Sequence, residues 1–347
     1  MAEEHKNPTM KDVADAAGVS ITTVSHVLNN TRFVSLDSRQ RVEAVIDKLK
    51  FKVNPVARNL RSGKSRLIGF VASNLESHFY VNIAKGIEKT IEKFGYQLII
   101  IDAGEKKENE SRSIESLYLR GVDGLIVVPV LLDCTYLSKF LPRSYPVVFV
   151  DREPSGYDAD VVLLENNEAA YMAVKRFIKT GCKKIAFVSY HFGGQDNSTD
   201  ITMKERLAGY ERALDEAGFS VEPELIKIVP GTSVEYHKLL RAETYNFTQK
   251  LLNSKVDAVL CGNSLAAIGV VNCLEEHNVK IGSDVKLITF DDDIWLSLTN
   301  PRISAVAQPS RDIGALAAKQ LLKRIKSRGS ERAILRLGAK LILRESC

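Results

Sequence analysis

The stretch from Val19 to Val34, "VSITTVSHVLNNTRFV", gathers hydroxyls, amides and an imidazole. Such residues are middling helix formers, because they lose rotamer freedom or compete for backbone hydrogen bonds. Thr22, Thr23, Ser25, His26 and Asn29 carry small donors and acceptors, and on the outer face of a helix such groups can bond base edges in a DNA major groove. A second polar set stands where apolar runs end. Asp151 closes "VVFVD", Asn263 closes "VLCGN", Asp291 closes "LITFD", and Arg206 opens "RLAGY". Carboxylate, amide and guanidinium groups suit the hydroxyls of a sugar-like molecule, while Tyr80 and Trp295 offer flat faces for stacking.

Bond-breaking chemistry finds no comparable support. GxSxG, HExxH and a GxGxxG after a strand are missing, so no catalytic residue is expected and the chain reads as a non-enzyme. Gly63-Lys64-Ser65 imitates the end of a phosphate loop, but Arg58 stands where that motif needs glycine, and Asn54-Pro55 excludes the preceding strand. The five cysteines are scattered without CxxC pairs or histidine at ligand spacing, so neither metal nor cofactor is expected.

The elements that must carry the first set are legible. Thr9 reads as an N-cap before Val13, Ala14 and Ala17, and Gly18 stops that helix. Ser20 can cap a second helix whose Val24, Val27 and Leu28 follow helical spacing, turning Thr22, Thr23 and His26 outward. A third helix from about Ser35 adds Val42, Val45, Ile46 and Leu49, which completes a helix-turn-helix. Beyond it, Asn54-Pro55 opens a segment, Val56 to Arg61, of less than two turns. So short a helix needs a partner surface to form. Arg58 and Arg61 suggest DNA, and Leu60 offers an apolar wedge for a minor-groove base step.

Charge agrees. Residues 1–66 hold twelve Lys and Arg against seven Asp and Glu, an excess of five that equals the whole chain's net +5. The rest is neutral, so the basic footprint of a polyanion-binding part is confined to the first fifth. No apolar run approaches the roughly 18 residues of a membrane span. The start shows no basic flank followed by an apolar stretch, so a cytoplasmic, nucleoid-associated location is expected.

From Arg66 onward, short β-branched runs alternate with amphipathic stretches in two successive series. The first runs from "RLIGFVAS" to "PVVFVD", the second from "KKIAFVSY" to "VKLITFD". This pattern predicts two doubly wound parallel sheets with a ligand cleft at the strand carboxyl ends.

At these residues the chain resembles the lactose-repressor/galactose-repressor family of bacterial transcription regulators. The motifs are "TMKDVADAAGVSITTVSHVLN" and "NPVARNLRSGKS", and "TTVSHVLNNTRFV" is especially similar to the family's purine-repressor branch. The resemblance covers essentially the whole chain. It implies an all-α helix-turn-helix headpiece (8–53), a hinge (54–65), and a type I periplasmic-binding-protein-like core. That core would comprise an N-subdomain (66–164 plus 309–335) and a C-subdomain (165–308 plus 336–347), with crossings near Leu164–Glu165, Asp291–Asp293 and Val306–Gln308. DNA contacts are then implied for Thr9, Ser20, Ile21, Thr22, Thr23, Ser25, His26, Asn29 and Arg32, and in the hinge for Asn54, Ala57, Arg58, Leu60 and Arg61. Effector contacts are implied for Phe79, Tyr80, Asp151, Arg206, Asn263, Asp291 and Trp295. Operator DNA, a small-molecule effector and a second copy of the chain are the implied partners. Two departures stand out. Asn59 replaces the serine more usual before the hinge leucine, and Ser264 replaces the aspartate that often follows the family's asparagine. The missing carboxylate, with Arg206 and Arg152, leaves room for an anionic effector such as a sugar acid. A free-standing solute-binding protein and an α/β enzyme are the alternatives, and the basic headpiece fits neither. Without terminal heptads, a coiled-coil tetramer is not expected.

Overall fold

The computed structural model describes residues 8–29, 32–51, 64–130, 132–191, 201–230, 236–327 and 331–347. Two compact units divide the chain at Ser65–Arg66.

The first unit is a three-helix head. Helix α1 (Met10–Ala17) starts on a capping box in which the Thr9 hydroxyl accepts from the Asp12 N–H and the Asp12 carboxylate accepts from the Thr9 N–H. Gly18 ends it in the left-handed region at φ 64°, a conformation that glycine takes without strain. The chain then turns into α2 (Ile21–Asn29) and, after Ser35, into α3 (Leu36–Leu49). Val13, Ala14, Ala17, Val24, Val27, Val42 and Phe51 close into one core. The apolar stripes of the three helices therefore meet as their spacing requires.

The second unit holds two sheets. Strands β1 (Leu67–Ala72), β2 (Gln97–Asp102), β3 (Gly124–Val127), β4 (Val147–Val150) and β5 (Asp160–Leu164) build the first lobe. Strands β6 (Ile185–His191), β7 (Ile226–Pro230), β8 (Ala258–Cys261), β9 (Lys286–Phe290) and β10 (Ser304–Ala307) build the second. Each lobe gains one late strand, β11 (Ile334–Leu337) in the first and β12 (Lys340–Ile342) in the second. The strand orders are β11-β5-β4-β3-β1-β2 and β12-β10-β9-β8-β6-β7. All pairs are parallel except β10–β12. Helices α4 (His78–Ile91), α5 (Lys107–Leu119) and α10 (Ser310–Lys326) cover the first sheet. Helices α6 (Asn166–Lys179), α7 (Ile201–Asp215), α8 (Tyr236–Asn253) and α9 (Ser264–Glu276) serve the second.

The lobes are locked by close helix pairs. In α4 and α10, a Cβ on Gly86 would sit 2.1 Å from the Arg311 carbonyl oxygen, and one on Gly314 would sit 2.1 Å from that of Ile83. Only glycine permits that approach.

Two expectations need correction. Asp291–Asp293 is not a crossing, because the chain leaves β9 there, makes a short turn (Ile294–Ser297) and returns to the same sheet as β10. The third passage instead follows β11, through the two residues before β12. For the same reason a boundary between 335 and 336 cuts β11, whose four residues all pair with β5 in the first lobe.

Candidate functional site

In the head, α2 buries Val24 and Val27 and leaves Thr22 exposed and Ile21 48% exposed. Thr23, Ser25 and His26 are half-buried, and Arg32 is exposed in the loop beyond the helix. One face of α2 is thus committed to the core and the other presents polar groups. Thr9 and Ser20 serve the helix ends: the Ser20 hydroxyl accepts from the Thr23 N–H at 3.0 Å and lies 2.9 Å from the Thr23 hydroxyl. Thr23 is therefore engaged within the cap, a role its spacing from Ser20 already permits. The hinge candidates Asn54, Ala57, Arg58, Leu60 and Arg61 lie outside the described residues.

In the body, a cavity of about 250 Å³ opens between the lobes at the strand carboxyl ends. Six of the seven predicted effector residues line it, namely Phe79, Tyr80, Asp151, Arg206, Asn263 and Asp291. Trp295 does not. It packs against the second lobe's core, held there by the short turn Ile294–Ser297. Tyr80 also differs from its expected role. Its ring is buried in the first lobe's core, edge-on to Phe79 at 5.2 Å, so its hydroxyl is the group it brings to the cavity. Phe79 is left to offer an aromatic surface.

The first-lobe wall is a linked set of polar groups. Tyr80 donates to Asp151 Oδ2 at 2.9 Å and accepts from Arg152 Nη2 at 3.2 Å. Arg152 also donates to the Pro129 carbonyl at 2.8 Å and lies 3.7 Å from Glu105 Oε2. Burial pushes the Glu105 carboxyl above its ordinary range, against the pull of Arg152.

The second-lobe wall centres on Arg206. Its Nε donates to Asn166 Oδ1 at 2.8 Å, its Nη1 donates to the Gly262 carbonyl at 2.6 Å, and its guanidinium lies 4.1 Å over the Phe290 ring. Glu205, next to it in sequence, pairs with Arg336, at 2.8 Å. Asn263 caps α9 by accepting from the Ala266 N–H at 2.7 Å, so its amide Nδ2 is what it can offer a ligand. Asp291 accepts from Gln308 Nε2 at 2.6 Å. Burial, with Asp293 and Asp151 nearby, lifts its carboxyl to about 6 despite Arg206.

Among the residues missed from sequence are Asp293, Gln308, Thr202, His78, Glu76, Glu105 and Arg241, all on the cavity wall. Asp293 matters most. The Ser264 hydroxyl donates to its Oδ2, so the carboxylate expected to be missing beside Asn263 is supplied from the loop after β9. The signal was the run Asp291-Asp-Asp293 at a strand end. Contacts that cross between the lobes include Thr202 Oγ1, which donates to the Asp151 carbonyl at 2.9 Å, His78 Nδ1, which lies 3.7 Å from Asp293 Oδ1, and the Arg336–Glu205 pair.

Comparison with known proteins decides the family. The model for "Bacterial regulatory proteins, lacI family" matches residues 9–54, and that for "Periplasmic binding protein-like domain" matches 174–347. The HTH-type transcriptional repressor PurR of Vibrio campbellii is 31% identical over 97% of this chain and 98% of its own. The chain belongs to the LacI family. RegA of Clostridium saccharobutylicum, another HTH-type regulator, is 30% identical with the same coverage. Among solved structures, a CelR–cellobiose complex is 25% identical at TM-score 0.70 over 98% of this chain and 100% of its own. The Lac repressor bound to ONPG is 23% identical at TM-score 0.81 over 99% and 100%, which shows the shared fold. This LacI-family chain is accordingly a transcriptional regulator and not an enzyme. Among its described residues no helix is long and apolar enough to cross a membrane, and no cluster of His, Cys, Asp and Glu could hold a metal ion.

Proposed function

We propose that this chain represses a carbohydrate-related operon as a homodimer. Each head places α2 in the major groove of a palindromic half-site, and a small metabolite in the body's cleft switches that grip. Ile21, Thr22 and His26 read bases, Arg32 and the helix N-termini meet phosphates, and the segment around Leu60 serves as hinge. The supporting observation is α2 itself, whose apolar residues are all directed into the head core except Ile21 at its start. Resemblance to repressors over the full chain supports the direction of control.

The effector is a neutral, hydroxyl-rich molecule. Five carboxylates (Glu76, Glu105, Asp151, Asp291 and Asp293) line the cavity with three arginines, an acidic excess that disfavours the sugar acid that sequence left open. Arg152 and Arg206 are already engaged with the protein. A hydroxyl both donates and accepts, so it can donate to Asp151 or Asp291 and accept from Asn263 Nδ2. Phe79 then receives an apolar face of the ring. The bound cellobiose of the CelR complex is in keeping with this chemistry. A thermal-shift screen of neutral sugars, sugar acids, sugar phosphates and purines tests it, because a ligand that binds only the native state raises the melting temperature. Neutral sugars should give the largest rise; a rise with acids alone would contradict the reading.

A further inference from the structure

The body carries no net charge as a whole, yet one end of it is basic. From Ile313 to Ser330 the sequence contains no acid and five cations, Lys319, Lys323, Arg324, Lys326 and Arg328. Arg324 is committed to the buried Asp160, to which its Nε donates at 2.7 Å. Lys319, Lys323 and Lys326 are exposed and have no ion pair among the described residues. Their spacing of four and three places them in one stripe along α10. Phe94, 45% exposed, lies at the foot of this stripe with the Lys326 ammonium 5.4 Å from its ring.

The position of the stripe follows from the winding of the sheet. In a parallel sheet the strand carboxyl ends share an edge with the helix amino ends, and in the first lobe that edge is the cleft. The carboxyl end of α10 therefore lies at the opposite edge, where the strands begin. Two contacts agree. A Cβ on Gly124, the first residue of β3, would meet Leu321 Cδ1 at 2.9 Å, and Arg66, just before β1, donates from Nη1 to the Phe94 carbonyl at 2.9 Å. The lysines thus stand at the strand-start edge of the first lobe, the edge at which Arg66 leads into β1.

We infer that Lys319, Lys323 and Lys326 form an auxiliary contact with duplex DNA, meeting backbone phosphates that flank the site read by the head. This rests on the proposed DNA binding by α2. The chemistry is point-charge neutralisation by flexible ammonium groups, which reads no sequence but strengthens binding and steepens its salt dependence. A cation near a helix carboxyl end also complements the helix dipole. That role alone would leave DNA binding unaltered, so the two can be separated.

The full-length protein first selects a duplex from a random-sequence pool. The duplex is then made in two lengths, the selected site alone and the site with about one helical turn (~10 base pairs) added on each side. Affinity is measured against salt for the wild type, for Lys319→Gln/Lys323→Gln/Lys326→Gln, and for the matching Lys→Arg triple. On the long duplex the Gln triple should give a plot of log affinity against log salt shallower by about 0.9 for each lysine that meets a phosphate. On the short duplex it should match the wild type, and the Arg triple should match the wild type on both. An unchanged slope on the long duplex, or an equal loss on both lengths, would overturn the contact. A fall in melting temperature without a change of slope would also overturn it and leave the helix-end role. Failure of the wild type to select any duplex would count against the head's DNA reading, a separate outcome from a missing difference between lengths.

Discussion

Asp151 and Asp291 occupy the same station in the two lobes. Each follows the last residue of a central strand, each has a left-handed backbone (φ 70° and 69°), and each N–H bonds the next strand, to Val162 O and Val306 O. Their side chains then diverge. Asp151 is fixed by the Tyr80 hydroxyl with Arg152 3.8 Å away, whereas Asp291 sits beside Arg206, Asp293 and Gln308 with its carboxyl lifted to about 6. A repeated fold has built one wall whose strand-end aspartate is bonded to its neighbours and one whose strand-end aspartate is electrostatically tense, although the first wall also holds a carboxyl, Glu105, that burial pushes up. The tense wall is the one a ligand can relieve, by donating hydroxyl hydrogens to a carboxylate that its own surroundings hold poorly.

The largest expected effect comes from breaking the centre of the tense wall. Arg206→Met should lower stability by about 3 kcal/mol, because Asn166 Oδ1 and the Gly262 carbonyl lose their donor in a buried site. Denaturant unfolding measures this, and the variant should also lose effector binding. Next, Asp151→Asn and Asp291→Asn should differ in sign. Asp151→Asn removes the charge that strengthens the Tyr80 bond and faces Arg152, and should destabilise, whereas Asp291→Asn removes a poorly held charge and should raise the melting temperature near neutral pH.

The pH dependence sharpens this contrast. Asp291 titrates near 6 in the folded chain against an ordinary value of 3.8, so the native state binds more protons between those values. Stability contributed by this site therefore falls as pH rises through that window, and the advantage of Asp291→Asn should fade below about pH 4. Effector affinity should run the other way, weakening as pH drops below about 6, and calorimetry at pH 5 and 7.5 would show it. The smallest effects lie outside the cleft. Ser20→Ala should cost about 1 kcal/mol through the lost α2 cap, and Trp295→Ala should lower stability while leaving effector affinity unchanged, since Trp295 packs away from the cavity.

The contrast between the walls also explains what could be read from sequence. Periodicity and caps were enough for the head, because Thr9, Gly18 and Ser20 act on neighbours within a few residues. The strand-end rule was enough to place Asp151, Asn263 and Asp291 in the cleft. It could not foresee Ser264 holding Asp293, a contact set by how the loop after β9 folds back, nor that Trp295 in that same loop turns toward the core. Tyr80 illustrates the same limit, since the fate of its ring depends on strands far away in sequence.

Coupling between cleft and head is the central claim. Its most direct test is operator affinity, measured on a duplex selected by the protein, with and without saturating amounts of a neutral sugar found to raise the melting temperature. Operator affinity should change severalfold for the wild type, and at the same sugar concentration Asp291→Asn should lose that response while keeping its ligand-free affinity. An identical wild-type affinity in both conditions would contradict it.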